Sequence, residues 1–498
     1  MAAETFLERI VAATRADLAE RMARLPLAEL RARTAAAPAP RDFAAALWPS
    51  PGGAARLIGE VKRAAPSRGV LAERFDPLAQ ARAYARGGAA AISVLTEPHF
   101  FLGALEHLAA VREDVPMPVL RKDFILAPYQ VYEARAAGAD AVLLLCALLD
   151  DARLAELLAL TRGLGMEALV EAHDEAEARR AVACGAAVVG ANSRDLRTFA
   201  VDTDVVRHLR PLVPMDRVFI GESGIVDVTG AARARAWGAD AILVGEALMT
   251  AVDPAAQAHE LATAPGGASA ELFRHAGAGP FVKLCGLTTT AQAALAAELG
   301  AEAVGLIFYP PSHRYVSREQ ARAIAAVASS AGLLAAGVFV NAAIDEVIAI
   351  RDDVGLSAIQ LGGDETPEYC AELAARLSCP LIKSLRLRDD ADLDRLDAYA
   401  LAGATLLLDA HVPGMYGGSG TLGNWELARR AAARWPVILS GGLTPANVAP
   451  AIAAVGPRGV DVSSGIETAK VKDPAKMRAF VGATRTAAAT TVPTEASV

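Results

Sequence analysis

Aromatic side chains are scarce in this chain, only 5 % of its residues, so rings cannot be the main filling of its cores. Ala is abundant instead, and the helices are expected to be Ala-rich and to pack through small side chains. Cysteine is sparse too. Cys146, Cys184, Cys285, Cys370 and Cys379 are odd in number and form no C-x-x-C pair. That excludes a disulfide framework and points to a reducing compartment. Positive charge is not in excess: 49 Lys and Arg against 57 Asp and Glu give a net charge of −8. A general nucleic-acid surface, which needs clustered cations, is thereby excluded. An anionic substrate is not, because local cations and backbone N–H groups can receive it inside an acidic protein. No apolar run reaches the ~20 residues of a membrane span. The first 22 residues, Met1–Met22, are amphipathic and lack the uninterrupted apolar stretch of a secretory signal. A cytoplasmic location is expected. The eight His show no metal-ligand spacing and nothing calls for a nucleotide, so no cofactor is expected.

What the chain does have is length and alternation. One (β/α)₈ barrel takes roughly 250 residues, and this chain has 498. Short runs of aliphatic and β-branched residues alternate with stretches at helical spacing. The first half offers eight such strands: Leu57–Lys62, Ala91–Thr96, Val119–Asp123, Ala141–Cys146, Glu167–Ala172, Val188–Ser193, Val218–Ser223 and Ala241–Glu246. A Gly-rich stretch, Ala264–Pro280, then reads as a linker. Eight more strands follow: Phe281–Gly286, Ala303–Tyr309, Leu334–Val340, Ala358–Gly363, Pro380–Arg386, Thr405–Ala410, Pro436–Gly442 and Gly459–Gly465. Near-continuous apolar strands separated by helices indicate buried parallel sheets. The fold class is α/β, two consecutive (β/α)₈ TIM barrels. Roughly 55 residues precede the first strand. They read as a helical extension, broken at Ala35–Pro40 and capping one barrel mouth. The expected domains are 1–262, a linker at 263–279, 280–484, and a flexible tail at 485–498.

In such barrels chemistry sits at the C-terminal ends of the strands. The first half places Glu60 and Lys62 on strand 1, Lys122 on strand 3 and Glu171 on strand 5. Asn192 and Arg194 follow strand 6, and Glu222 and Ser223 end strand 7. A closed barrel tolerates so many ionisable groups when they face one another around a ligand. ESGI (Glu222–Ile225) and VGEALM (Val244–Met249) fall late, where backbone N–H groups commonly hold phosphate. The second half differs. Cys285 ends its strand 1, Arg314 follows strand 2, and Asp409 ends strand 6. Gly441, Gly442, Ser464 and Gly465 sit on the last two strands. A lone Cys in an apolar strand is usually a small core hydrophobe. An Asp closing a run of Leu is costly unless it faces a polar site.

The stretches EVKRAAPSRG (Glu60–Gly69), LRKDF (Leu120–Phe124), YQVYEARAAGADAVLLL (Tyr129–Leu145), LVEAH (Leu169–His173), NSRDL (Asn192–Leu196) and ESGI come in order over nearly the whole first half. On them this half resembles the indole-3-glycerol-phosphate synthase family. That family closes the indole ring of a carboxyphenylamino-deoxyribulose phosphate and releases CO₂ and water. The resemblance implies that Lys122 is the general acid on the substrate carbonyl and Glu171 the proton partner in dehydration. Lys62 would hold the carboxylate or phosphate side and assist proton transfer. Glu60, Asn192, Glu222 and Ser223 would position the anilino nitrogen and sugar hydroxyls. Ser67, Arg194, Gly224, Gly245 and Glu246 fall at phosphate-side positions, and Phe101, Phe124 and Leu196 would line the aromatic slot. Lys122 is expected among other cations, with a lowered pKa suited to donation near neutrality. Leu102, Ala104 and Ala247 depart from the family pattern.

KLCGLT (Lys283–Thr288), FYPPSHRYV (Phe308–Val316), GVFV (Gly337–Val340), IQLGG (Ile359–Gly363), LLLDAHVPGMYGGSGTLGNW (Leu406–Trp425), LSGGLTPANV (Leu439–Val448) and GVDVSSGIE (Gly459–Glu467) cover the second half in the same way. This half resembles the phosphoribosylanthranilate isomerase family, which turns an aldosylamine into an aminoketose. By resemblance Asp409 is the acid, Cys285 the base, and Arg314 the bidentate anchor for the anthranilate carboxylate. Gly441, Gly442, Ser464 and Gly465 would hold the phosphate. His313 and Ala410–His411 are departures. The expected partners are small phosphorylated substrates, with the product of the second barrel feeding the first. Competing readings are a Schiff-base aldolase using Lys122 or Lys383, a histidine-pathway isomerase, which would want an Asp where Cys285 stands, and a ligand sensor with one decayed barrel.

Overall fold

The computed structural model describes residues 5–49, 56–195, 198–264, 272–274, 276, 279–377, 379–410 and 424–491. The chain divides into two compact units, with the main division after residue 264.

The first unit is a closed eight-stranded parallel barrel. Its strands are β1 (Arg56–Val61), β2 (Ala91–Leu95), β3 (Val119–Lys122), β4 (Ala141–Leu145), β5 (Glu167–Ala172), β6 (Val188–Asn192), β7 (Val218–Glu222) and β8 (Ala241–Val244). β8 returns to β1, with Arg56 opposite Ala241 and Gly59 opposite Val244. The strands are buried almost throughout, which is why they read as apolar runs rather than alternations. Asp76, Asp150, Asp174, Asp227 and Asp253 each cap the helix that follows them by accepting backbone N–H bonds. The helices bury Ala residues, among them Ala81, Ala134, Ala178, Ala181, Ala231 and Ala232, in line with the composition.

The expected helical extension is present as α1 (Phe6–Arg24), α2 (Leu27–Ala36) and α3 (Phe43–Leu47). A reciprocal Thr5–Glu8 capping box starts α1. This helix lies across the mouth of its barrel: the Phe6 ring sits 5.0 Å from that of Phe100 and 4.9 Å from that of Phe199. His99 Nε2 lies 2.8 Å from Asp17 on the same helix. From α3, Phe43 and Leu47 enter the same core as Ile58, Leu120 and Leu169.

The second unit is another closed parallel barrel. Its strands are β9 (Phe281–Cys285), β10 (Ala303–Ile307), β11 (Leu334–Phe339), β12 (Ala358–Leu361), β13 (Leu381–Arg386), β14 (Ala404–Asp409), β15 (Val437–Leu439) and β16 (Gly459–Val462). β16 closes on β9, with Phe281 opposite Gly459 and Leu284 opposite Val462. The last helix runs Pro474–Thr491, so the expected boundary at 484 falls inside a helix. Arg485 there donates to Pro280 O at 2.7 Å and to Gly300 O at 2.6 Å, which ties this turn to the barrel. Most of the expected linker, His411 and the YGGSG run lie outside the described residues. No helix is long and apolar enough to cross a membrane among the described residues.

Candidate active sites

A cavity of about 450 Å³ opens at the C-terminal end of the first barrel. Every described residue expected for this site lines it: Glu60, Lys62, Ser67, Phe101, Lys122, Phe124, Glu171, Asn192, Arg194, Glu222, Ser223, Gly224, Gly245 and Glu246. Leu196 lies outside the described residues. At the centre Lys122 Nζ donates to Glu171 Oε2 and Glu222 Oε2, each at 2.7 Å. Asn192 Nδ2 donates to Glu171 Oε1 at 2.8 Å, so both oxygens of that carboxylate are occupied. Glu222 Oε1 is buried and has no hydrogen-bond partner.

The expected cationic surroundings of Lys122 are not what forms. Burial alone would pull its pKa down, but Glu171, Glu222 and Glu60 outweigh burial and hold the ammonium well above the ordinary lysine range. The two carboxylates diverge. Burial raises both. Lys122, His173 and Asn192 reverse this for Glu171 and bring it to about 2. Glu222 lacks the second set of donors and faces the Glu171 charge, which leaves it at about 8. The direction follows from the hydrogen bonds: Glu171 is the ionised member and Glu222 the one that retains a proton.

Lys62 Nζ lies 2.5 Å from Glu60 Oε1. Gly245 leaves room for this pair, since a β-carbon there would come within 2.3 Å of Glu60 Oε1 and 2.9 Å of Lys62 Nζ and displace them. Gly190 does the same for Glu222, whose Oε1 would stand 2.0 Å from an added β-carbon. Ser223 and Gly224 adopt positive φ, 63° and 73°, as the chain leaves β7 at the cavity rim. The Glu246 carboxylate meets Arg68 at 2.7 Å at the cavity edge. The Phe101 and Phe124 rings stand 6.1 Å apart at 36°.

Two residues went unread in this half. Glu97, buried, accepts from the amides of His99, Phe100 and Phe101 at 2.9, 2.7 and 2.9 Å, and so fixes the loop that carries Phe101. An acid immediately after an apolar strand was the available signal. His173, in the LVEAH stretch, places Nε2 3.4 Å from Glu171 Oε1 and Nδ1 3.1 Å from Glu177 Oε2.

The second barrel carries a cavity of about 360 Å³ at the same end. Cys285, Arg314, Asp409, Gly441, Gly442 and Ser464 line it. Gly465 does not; it packs against the Leu443 carbonyl, where any β-carbon would collide at 1.8 Å. Burial raises the Asp409 carboxyl to about 6, against the hydrogen bond it accepts from Ala410 N and with the help of the Asp461 charge. Burial also pushes the Cys285 thiol up, with Lys283 the largest opposing influence. Arg314 lines the cavity but is engaged within the protein. Its Nε and Nη2 already donate to Glu467 at 2.7 and 2.9 Å, and Lys472 Nζ donates to the same carboxylate at 2.7 Å. The fork face of Arg314 is thus taken up, with His313 Nε2 3.7 Å from the same Glu467 carboxylate.

Gln360 Oε1 is buried, unpartnered, and belongs to a side chain lining this cavity. It lay unread within the IQLGG stretch. Lys383, the alternative nucleophile, is committed elsewhere: its Nζ donates to Gly363 O at 2.8 Å and Ser384 O at 2.9 Å and pairs with Glu365 at 3.1 Å.

Residues 7–261 match the family described as indole-3-glycerol phosphate synthase. Residues 282–483 match the family described as N-(5'-phosphoribosyl)anthranilate (PRA) isomerase. An indole-3-glycerol phosphate synthase of Roseiflexus sp. (strain RS-1) is 52 % identical over 266 residues, covering 52 % of this chain and 98 % of that protein. The tryptophan biosynthesis protein TRP1 of Phytophthora nicotianae is 36 % identical over 486 residues, 84 % of this chain and 90 % of that protein. The multifunctional tryptophan biosynthesis protein of Schizosaccharomyces pombe is 37 % identical over 465 residues, 86 % of this chain and 59 % of that protein.

Proposed function

Since the chain belongs to the indole-3-glycerol phosphate synthase family in its first barrel and to the phosphoribosylanthranilate isomerase family in its second, we propose how the residues of each cavity carry the two reactions. The protein is a bifunctional enzyme of tryptophan biosynthesis. The second barrel isomerises N-(5-phosphoribosyl)anthranilate to 1-(2-carboxyphenylamino)-1-deoxyribulose 5-phosphate. The first converts that product to indole-3-glycerol phosphate, CO₂ and water.

In the second barrel Asp409, whose carboxyl burial raises to about 6, gives its proton to the ring oxygen as the C1–O bond breaks and the nitrogen lone pair forms the iminium. Cys285 as thiolate takes the C2 proton. The C2–H electrons become the C1=C2 bond, and the resulting enaminol tautomerises to the ketone. No proton is gained or lost overall. The unpaired Gln360 Oε1 suits a sugar hydroxyl donor. Gly441, Gly442 and Ser464 receive the phosphate through the backbone.

In the first barrel Lys122 is protonated and stays so across the neutral range, because three carboxylates surround it. It donates to the ketone oxygen as the aromatic carbon bonds to the carbonyl carbon. CO₂ leaves and its bonding pair returns to the ring. Glu171, ionised and within 2.7 Å of Lys122, handles the proton lost as water departs. Glu222 Oε1, lacking a partner, suits the anilino N–H. Lys62 faces the carboxylate or phosphate, and Phe101 and Phe124 flank the aromatic ring.

The observation that carries this reading is the convergence of Lys122, Glu171 and Glu222 from three separate strands onto 2.7 Å contacts within one cavity. The test is a two-step assay. Purified protein given phosphoribosylanthranilate should lose the substrate fluorescence and then accumulate indole-3-glycerol phosphate; accumulation of the aminoketose alone would refute the first-barrel half.

A further inference from the structure

Lys283 is 0 % exposed, among the largest fully buried side chains of the described residues. It has no part in the mechanism above. Two residues before Cys285 on β9, it points to the same interior face of the barrel. Its Nζ donates to Asp461 Oδ1 on β16 at 2.7 Å and shares with the Cys285 sulfur the space beside Gly305. Gly305 on β10 makes room for both groups: a β-carbon there would stand 2.6 Å from Cys285 Sγ and 3.1 Å from Lys283 Nζ. Asp461 accepts from Ser440 Oγ at 3.1 Å through its second oxygen. A buried lysine is costly unless its partners repay the lost hydration. One carboxylate would suffice for that. The geometry also sets the ammonium beside a thiol.

We propose that the buried Lys283–Asp461 pair is a positioning unit that prepares the acid and base of the isomerase in opposite senses: Lys283 favours the thiolate form of Cys285, and Asp461 favours the protonated form of Asp409. The ammonium sits against the sulfur, where positive charge favours the deprotonated form. The Asp461 carboxylate opposes a second negative charge on Asp409. On Cys285 the lowering influence of Lys283 precedes the raising one of Asp461; on Asp409 the raising influence of Asp461 precedes the lowering one of Lys283. Lys283 is the strongest group opposing the burial of Cys285, and Asp461, which lines the same cavity as Asp409, raises that carboxyl. The other charged group facing the thiol is Lys472, which lowers it as Lys283 does, while Asp461 raises it. Arg386 and Lys283 also face Asp409 and lower it. Lys283 moves no proton in this scheme.

This inference rests on Cys285 being the base, and the experiment separates the two claims. Cys285→Ala tests the base alone. The neutral double variant Lys283→Met with Asp461→Asn tests the pair without stranding a buried charge. Alkylation of Cys285 by iodoacetamide, followed on its own peptide by mass spectrometry across pH 6 to 10, reads thiolate content directly. With the pair removed, alkylation at pH 8 should slow by about tenfold or more, one pKa unit being a factor of ten. The kcat of the isomerase should fall with it while KM moves little. An unchanged circular dichroism spectrum and an unchanged urea transition for the second barrel certify that it is folded. Should the double variant unfold, Asp461→Asn alone gives the second reading: the limb of the isomerase pH profile that reports Asp409 should move to lower pH. An unaltered alkylation profile and an unaltered pH profile beside a dead Cys285→Ala variant would overturn the pair's role and leave the base assignment standing. An active Cys285→Ala variant would instead overturn the base.

Discussion

The Lys122 ammonium stands 2.7 Å from the Glu171 carboxylate, across 49 residues of chain, and only the curl of the first barrel makes them neighbours. Removing one partner of such a contact strips the first reaction of its acid while leaving the second cavity untouched. Lys122→Ala is expected to lower indole-ring closure by between about 10² and 10⁴. The isomerase should be unchanged. Cys285→Ala or Asp409→Ala should do the reverse. Separate assays of the two steps check this, and loss of both activities in a folded single variant would contradict two independent sites.

Asp409 makes a stability prediction with a definite sign. Its carboxyl titrates near 6 in the folded protein against an ordinary 3.8. Between these values the folded state holds a proton that the unfolded chain has released, so stability falls as pH rises through this window. Below it the penalty vanishes; above it the penalty is complete. The shift of about two units corresponds to roughly 3 kcal/mol at 1.36 kcal/mol per unit. Asp409→Asn should therefore stabilise the second barrel at pH 7.5, do so little at pH 4, and abolish isomerisation. Urea unfolding of the full chain at the two pH values measures it.

Two glycines are predicted to be indispensable to catalysis rather than to folding. Gly190→Ala would push Glu222 Oε1, and Gly305→Ala would push Cys285 Sγ, because the new methyl groups would lie 2.0 and 2.6 Å from those atoms. In each case the displaced atom is the end of a side chain, so the fold can absorb the change by moving the reacting group. Each variant should lose about 10²-fold in kcat for its own barrel alone, as expected when geometry shifts by about 1 Å. Retained melting temperature with lost activity would confirm it.

Glu467 should prove to be the residue that aims Arg314. Glu467→Gln keeps the size but removes the charge that holds Nε and Nη2. The KM of the isomerase for the phosphoribosyl substrate should rise about tenfold, the scale of one charge-assisted hydrogen bond. The kcat should change less. Arg314→Lys should behave similarly, since an ammonium cannot make the fork. A fall in kcat with KM constant would place Glu467 in the chemistry instead.

Most of the architecture was legible because a parallel barrel buries its strands on both sides, so each appears as an apolar run with its first polar residue near the site. The ends were less legible. β15 stops at Leu439, because Gly441 and Gly442 turn the chain at φ of 82° and 66° where the apolar run continues into SGG. The charge state of Lys122 was not legible at all. The sequence places Lys62 and Lys122 on nearby strands, yet side-chain direction puts three carboxylates around the second lysine. The pairing of Arg314 was hidden for a similar reason: nothing local to FYPPSHRYV announces that Glu467, 153 residues on, already fills its fork. Lys283, Gln360, Asp461 and His173 all lay inside quoted stretches. They passed as filler because a single polar residue within an apolar run reveals its partner only when strands distant in sequence are brought side by side.

Each hydrogen-bonded ladder ends where it began, β8 on β1 and β16 on β9. Neither half leaves an open edge for the other to complete. The two catalysts are therefore cassettes: a gene can sever them, exchange one for a counterpart, or join them in reversed order without unravelling either sheet. Fusion of this kind guarantees equal dosage of two consecutive catalysts and leaves selection free to tune each one separately.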